Sequence, residues 1–153
     1  MNHELKDILK GKVVIVGIGN ILRGDDGFGP ALIENLKPVI KAICIDVGTA
    51  PENYAGKIAK EDPDTILIVD AVDLDLAPGE FDIIRKDEIL ETGFTTHDMS
   101  PKMFIGFLES ETRADIFMLG LQPKSINFGD DMSNIIKESL ETISAKIKEA
   151  LNA

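Results

Sequence analysis

The stretch that decides the fold is Gly17-Ile18-Gly19-Asn20-Ile21-Leu22-Arg23-Gly24-Asp25-Asp26-Gly27-Phe28-Gly29-Pro30. Before it, residues 12–16 are mostly apolar and β-branched, a pattern that predicts a buried strand. After it, residues 31–37 have the apolar spacing of a helix, which Pro38 ends. A strand, a glycine-rich loop and a helix in this order are typical of an open α/β sheet. In such sheets, ligands bind at the carboxyl ends of the strands.

The glycine-rich loop does not have the pattern of a nucleotide-binding loop. Leu22 stands where a dinucleotide fingerprint needs its third glycine, and no Gly-Lys-Ser/Thr of a P-loop follows. Asp25 and Asp26 would also repel a pyrophosphate at the start of the helix. Carboxylates in this position favour cation binding or acid–base chemistry. Two alternatives stay open: that one aspartate only caps the helix, and that the chain is a nucleotide-binding α/β domain of another kind.

Length, charge and cysteine content restrict the class of protein. The 153 residues, 44% of them hydrophobic, suit a single domain over 1–153 with a sizeable core. The formal net charge of −11 opposes nucleic-acid binding. No apolar run reaches the roughly 18 residues of a membrane span, and the charged N-terminus lacks the core of a signal peptide. We therefore expect a cytoplasmic protein without membrane insertion, in which the single cysteine, Cys44, is a buried core residue.

Strands alternate with helices along the rest of the chain. Strands are predicted at 12–16, 41–45, 65–69, 80–85 and 114–121, with the fourth near an edge and antiparallel. Helices are predicted at 3–10, 31–37, 54–60, from Ser100 onward, and after a cap at Asp130 or Asp131. This last helix has one apolar face, formed by Met132, Ile135, Ile136, Leu140, Ile143, Ile147 and Leu151. The fold class is therefore α/β: a single three-layer domain whose mostly parallel or mixed sheet of about five strands is flanked by helices.

Acidic residues stand at the ends of three predicted strands. Asp25 and Asp26 come after the first strand, Asp46 ends the second and Asp70 ends the third. Because right-handed crossovers place these ends at one edge of a parallel sheet, the side chains are expected to gather there. His97, in a polar loop, is the other strong ligand outside the N-terminal tail. Two carboxylates and an imidazole suit an open zinc or nickel site, although each residue alone could be a turn former or a loop histidine.

The glycine-rich stretch strongly resembles the opening motif of the [NiFe]-hydrogenase maturation endopeptidases. Residues 46–53, Asp-Val-Gly-Thr-Ala-Pro-Glu-Asn, are similar to the second motif of that family, although Val47 stands where glycine is usual. Their last four residues are closest to the branch that serves formate-hydrogenlyase-type hydrogenases. Further matches to this branch follow in order at 68–71, 78–80 and 95–97. The resemblance runs from about residue 12 through the last helix and leaves 1–11 as an N-terminal extension.

The resemblance implies an endopeptidase that removes a C-terminal peptide from the precursor of a hydrogenase large subunit after nickel insertion. The metal-binding residues of the family correspond to Asp26, Asp70 and His97, which would recognise nickel held by the precursor. Asp46 corresponds to a position linked to processing of the substrate. The nickel would come with the precursor, and other divalent metals could occupy the same ligands. The expected partner is the nickel-loaded precursor, with the protease acting as a monomer.

Two chemistries stay open for a site made of Asp26, Asp70 and His97. A metal held by these residues could polarise the scissile carbonyl and lower the pKa of a water. In an aspartic-type mechanism, the carboxylates would instead position and deprotonate the water, while nickel anchors the substrate. The chain has neither the H-E-x-x-H of zincins nor the G-x-S-x-G of serine hydrolases. The alternative function is that of a non-catalytic nickel carrier or checkpoint protein for hydrogenase assembly, with the same three ligands.

Overall fold

The computed structural model describes residues 4–92 and 101–152, apart from the side chains of 90–92 and 101–102. Its single five-stranded sheet has the order β2-β1-β3-β5-β4. The strands are β1 (Val13–Ile18), β2 (Ile43–Gly48), β3 (Thr65–Ala71), β4 (Phe81–Arg85) and β5 (Asp115–Leu121). All neighbouring pairs are parallel except β4 and β5, which are antiparallel. This confirms both the mixed sheet and the antiparallel edge strand that the sequence predicts.

Helices cover both faces of the sheet and complete the three predicted layers. One face carries α1 (Leu5–Ile8), α2 (Phe28–Leu36) and α6 (Asn134–Asn152). The other carries α3 (Ala55–Lys60), α4 (Lys86–Thr92) and α5 (Pro101–Glu111). β1 and β3 are buried on both faces. Because side chains alternate along a strand, each of these strands contributes side chains to two cores, one on each face of the sheet. We call the core under α2 and α6 the first core, and the core under α3 and α5 the second core.

The terminal helices both contribute to the first core. In α6, the predicted apolar face is buried at Ile136, Ile143 and Ile147, whereas Ile135 is exposed. From the segment predicted as an N-terminal extension, α1 and the residue after it bury three apolar side chains in the same core.

No helix within 4–92 and 101–152 is long and apolar enough to cross a membrane. Cys44 is buried, as expected, and is a free thiol.

Several boundaries differ from the predicted ones. α2 begins at Phe28 rather than at residue 31, because Pro30 fits the first turn of a helix, where no N–H is needed. β2 extends to Gly48 and β3 to Ala71, so Asp46 and Asp70 lie inside strands instead of ending them. Pairing with neighbouring strands overrides the low strand propensity of aspartate and glycine. The helix α4 is not predicted from the sequence.

The predicted cap of the last helix is also wrong. α6 begins at Asn134, three residues after the later of the two candidate aspartates. The carbonyl of Ser133 accepts the N–H of Ile136 at 3.1 Å and that of Lys137 at 3.0 Å, so Ser133 stands at the start of the helix. The Asp130 carboxylate instead accepts a hydrogen bond of 3.2 Å from the Ser125 hydroxyl. Ser125 and Asp130 both lie in the loop between β5 and α6.

Candidate active site

The glycine-rich loop folds back onto the ends of β1 and β3. Gly29, in the first turn of α2, lies so close to these strands that a Cβ would approach the Val69 carbonyl oxygen to 2.9 Å and would overlap that of Ile18. Only glycine allows this approach of two backbones. The 3-10 turn Gly24–Gly27 immediately precedes α2 and contacts β3. Asp26, within that turn, is thereby brought next to Asp70.

Asp26 and Asp70 form a pair of buried carboxyl groups, with 7% and 0% of their surfaces exposed. The backbone N–H of Asn20 donates a hydrogen bond of 3.0 Å to Oδ2 of Asp26. Burial raises the pKa of Asp70 well above its ordinary value, and the charge of Asp26 raises it further, while a hydrogen bond from the Ala71 backbone opposes both effects. Paired carboxyls of this kind either share a proton or bind a cation.

Asp25, the neighbour of Asp26, has a different role from the predicted helix cap. Its carboxylate is fully buried and accepts hydrogen bonds from the N–H groups of Lys124 at 2.9 Å and Ser125 at 3.0 Å. It also accepts the N–H of Ser133 at 2.7 Å and the hydroxyl of Ser133 at 2.8 Å. α2 has no side-chain cap. The capping prediction is therefore wrong: Asp25 ties the glycine-rich loop to the loop between β5 and α6.

Asp46 lies at the same edge of the sheet but on the other face from Asp70. It pairs with Gly17 across β1 and β2, and its Oδ1 accepts the N–H of Gly48 at 2.9 Å. Side chains alternate along a strand, so Asp46 belongs to the face of the first core, with Cys44. By the same alternation, Asp70 belongs to the face of the second core. Asp46 and Asp70 therefore lie at the carboxyl edge of the sheet, as predicted, but on opposite faces of it.

His97 lies outside the described residues, as does most of the predicted polar loop around it. The assignment of His97 as a third ligand therefore stays a prediction. Within 4–92 and 101–152, no group of three or more His, Cys, Asp and Glu side chains is placed to hold a metal. Asp26 and Asp70 supply two carboxylates, a donor set that suits a divalent cation when a further ligand is added. The helix α5, which begins four residues after His97, packs on the face to which Asp70 belongs.

Sequence reasoning misses the tether between Asp25 and Ser133. The two residues are 108 positions apart, and neither stands in a local pattern that indicates the other. The only signal is indirect: two adjacent aspartates in one loop cannot both be explained by a single helix cap. The Asp26 assignment comes from the family resemblance, because the loop sequence alone does not distinguish the two neighbours.

Comparison with known proteins decides the family. A model of hydrogenase maturation proteases matches residues 30–150. The hydrogenase 3 maturation protease of Escherichia coli (strain K12) is 38% identical over 138 residues, which cover 88% of each chain. The chain belongs to the hydrogenase maturation protease family. This confirms the resemblance found in the sequence. The family match begins at residue 30, so it is independent of the glycine-rich loop that first suggested this family.

Other hydrogenase maturation proteases agree in sequence and in fold. A putative member from Methanocaldococcus jannaschii is 32% identical over 165 residues, covering 94% of this chain and 98% of its own. The crystal structure of a [NiFe] hydrogenase maturation protease from Thermococcus kodakarensis superposes with a TM-score of 0.90 at 35% identity. That superposition covers 97% of this chain and 99% of the other. The chain thus shares the fold of that hydrogenase maturation protease.

Proposed function

We propose that this protein is the endopeptidase that removes the C-terminal peptide from the precursor of a [NiFe]-hydrogenase large subunit after nickel insertion. Membership of a protease family supports the peptidase activity. The observation that carries the proposal is the buried Asp26–Asp70 pair at the carboxyl edge of the sheet. Burying two neighbouring carboxyls is costly for a small domain, which points to a role in chemistry or binding.

The pair supplies two groups with different environments. Asp70, whose pKa is raised by burial and by the charge of Asp26, suits a general base that takes a proton from water and later gives it to the leaving amine. Asp26 accepts the Asn20 N–H and is the more exposed of the two, so it suits contact with the substrate. In the metal-assisted alternative, both carboxylates contact the nickel of the precursor, which polarises the scissile carbonyl.

We assign recognition of the nickel in the precursor to Asp26, Asp70 and His97. Carboxylate and imidazole ligands suit nickel, and a set with open positions can take a metal that another protein already holds. Asp46 is proposed to contribute to processing from the same edge of the sheet, where it pairs with Gly17, the first residue of the glycine-rich stretch. The reaction is proposed to take place in the cytoplasm, with the protease as a monomer and the precursor as its partner.

The test is incubation with a [NiFe]-hydrogenase large-subunit precursor, loaded with nickel or free of it, followed by intact mass measurement. Nickel-loaded precursor should lose the mass of its C-terminal peptide, and nickel-free precursor should not. Asp26→Ala should abolish cleavage. Asp115→Ala is the matched control and should cut normally, because Asp115 is exposed at the start of β5, on the opposite edge of the sheet.

Three outcomes would contradict parts of the proposal. Equal cleavage of the two precursor forms would remove nickel as the recognition element. Nickel binding without any loss of peptide would favour the carrier or checkpoint function over the peptidase. Full activity of Asp26→Ala would remove the carboxylate pair from the reaction.

A further inference from the structure

Two loops at the carboxyl edge of the sheet expose large apolar side chains beside Asp26. The glycine-rich loop exposes Ile21 to 72% and Leu22 to 57%. The loop between β5 and α6 exposes Phe128 to 73% and Ile126 to 43%. We call these four side chains the rim patch. Single exposed apolar residues are common on soluble proteins, but a group on adjacent loops next to a reactive site marks a binding surface.

The two loops are held together by hydrogen bonds, so the rim patch is formed before any partner arrives. The Gly129 N–H donates to the Leu22 carbonyl at 2.8 Å, and the Arg23 Nε donates to the Ile126 carbonyl at 3.2 Å. The N–H groups of residues 24 and 25 donate to the carbonyls of residues 130 and 125 at 3.1 and 2.9 Å. A preformed surface binds more tightly because little ordering entropy is lost.

The rim patch is continuous with the carboxylate pair. Asn20, whose N–H donates to the Asp26 carboxylate at 3.0 Å, immediately precedes Ile21. Gly27, which immediately follows Asp26, lies so close to Ile21 that a Cβ there would be 3.2 Å from the Ile21 Cα. An extended chain advances about 3.3 Å per residue. A substrate whose scissile bond lies at Asp26 therefore reaches the rim patch within a few residues.

We propose that the rim patch binds apolar side chains of the precursor's C-terminal peptide, in the few residues next to the scissile bond. The inference rests on the proposed function and names the part of the substrate that this surface holds. Four side chains expose a few hundred Å² at most, below the roughly 800 Å² per partner of a standard interface between folded proteins. This area suits a short extended segment better than a second copy of the chain or the folded body of the large subunit.

The test compares Phe128→Ser and Leu22→Ser with Val39→Ser. Val39 is an apolar residue after α2, at the opposite edge of the sheet, and its exposure is close to that of Leu22. Cleavage is followed over a range of nickel-loaded precursor concentrations. KM should rise about tenfold for each rim variant, with kcat within about twofold of the wild type, since truncating a binding contact costs affinity. Val39→Ser should match the wild type. All of these side chains are exposed, so melting temperatures should be unchanged.

A binding experiment shows whether the rim patch contacts the C-terminal peptide or the rest of the precursor. In an Asp26→Ala background, the rim variants should bind the full precursor about tenfold more weakly than their parent. They should bind the precursor lacking its C-terminal peptide as well as the parent does. Equal loss with both forms would place the folded large subunit on the rim patch and overturn the proposal, as would unchanged KM in both rim variants.

Two further results keep the two proposals distinguishable. If the wild type cuts no precursor, the proposed function fails, and the binding comparison still decides the role of the rim patch. Sedimentation of the free protease gives the remaining outcome. A wild-type dimer that Phe128→Ser converts to a monomer would make the rim patch an interface between copies and overturn the proposal.

Discussion

Removing the Asp25 carboxylate should destabilise the fold far more than removing its neighbour. Asp25 is fully buried and accepts four hydrogen bonds, three of them from backbone N–H groups of the loop that precedes α6. Each such bond contributes about 1 kcal/mol net. Larger values, to about 3 kcal/mol, apply when the acceptor is charged and the donors stay dry. Because water can enter an opened surface loop, we expect Asp25→Ala to lower the free energy of unfolding by about 4 kcal/mol.

Asp25→Asn should cost less, about 2 kcal/mol. One carboxylate oxygen, Oδ2, accepts the N–H groups of Lys124 and Ser125 and the hydroxyl of Ser133, and an amide oxygen can replace it. The amide nitrogen then faces the Ser133 N–H, which bonds to Oδ1 in the wild type. Two donors face each other there, so that bond is lost. Asp26→Ala is the matched neighbour: it should stay within about 1 kcal/mol of the wild type while abolishing cleavage.

Urea unfolding followed by circular dichroism measures these differences, since the chain has no tryptophan to serve as a fluorescent probe. Precursor cleavage is measured on the same samples under conditions where each variant is folded. An Asp25→Ala protein within about 0.5 kcal/mol of the wild type would refute the tether. So would the reverse order, in which Asp26→Ala unfolds more easily than Asp25→Ala.

Four other substitutions and one labelling experiment test separate parts of the structure. In urea unfolding, Gly29→Ala should lower the free energy of unfolding by about 3 kcal/mol, because its Cβ would overpack against two strands. Gly56→Ala should raise that free energy by up to about 1 kcal/mol, because a Cβ at this position in α3 meets open space. Burial raises the pKa of Cys44 from 9.0 to about 11, so about one thiol in a thousand is ionised at pH 8. Labelling of Cys44 by a thiol reagent should therefore be slow in buffer at pH 8. The labelling rate should increase as the pH rises toward 11, and it should become fast in urea. Burial and the charge of Asp26 disfavour the ionised form of Asp70 and raise its pKa, so Asp70→Asn should raise the melting temperature of the metal-free protein at pH values where the Asp70 carboxyl would be charged, while abolishing cleavage. His97→Ala should keep the melting temperature, yet weaken nickel binding at least about tenfold and impair cleavage; normal values of both would remove His97 from the site.

The layer architecture follows from the sequence because its signals are local and repeated. Residues 65–69 form a continuous apolar run, which indicates a strand buried on both faces, and β3 is such a strand. The short apolar segment predicted at 80–85 is an antiparallel edge strand, as expected. Boundaries are less predictable, because strand pairing extends β2 through Asp46 and Gly48 against their propensities.

The site is only partly predictable, because its decisive contacts join distant residues. That Asp26 and Asp70 lie at one edge follows from the parallel topology, and their electrostatic coupling agrees with it. That Asp46 belongs to the opposite face depends on its register within β2, which a shift of one residue would reverse. The Asp25 tether reaches residues about 100 positions away, beyond the range of any local pattern.

The position of Gly29 has a consequence for how heat inactivates the carboxylate pair. Many active sites lie on loops that loosen well before the domain melts. Here the turn that holds Asp26 leads directly into α2, which is anchored in the first core by Phe28, Leu32 and Leu36 and abuts two central strands at Gly29. The pair cannot separate without displacing that helix. The geometry of Asp26 and Asp70 should therefore persist up to the cooperative melting of the whole domain and disappear with it.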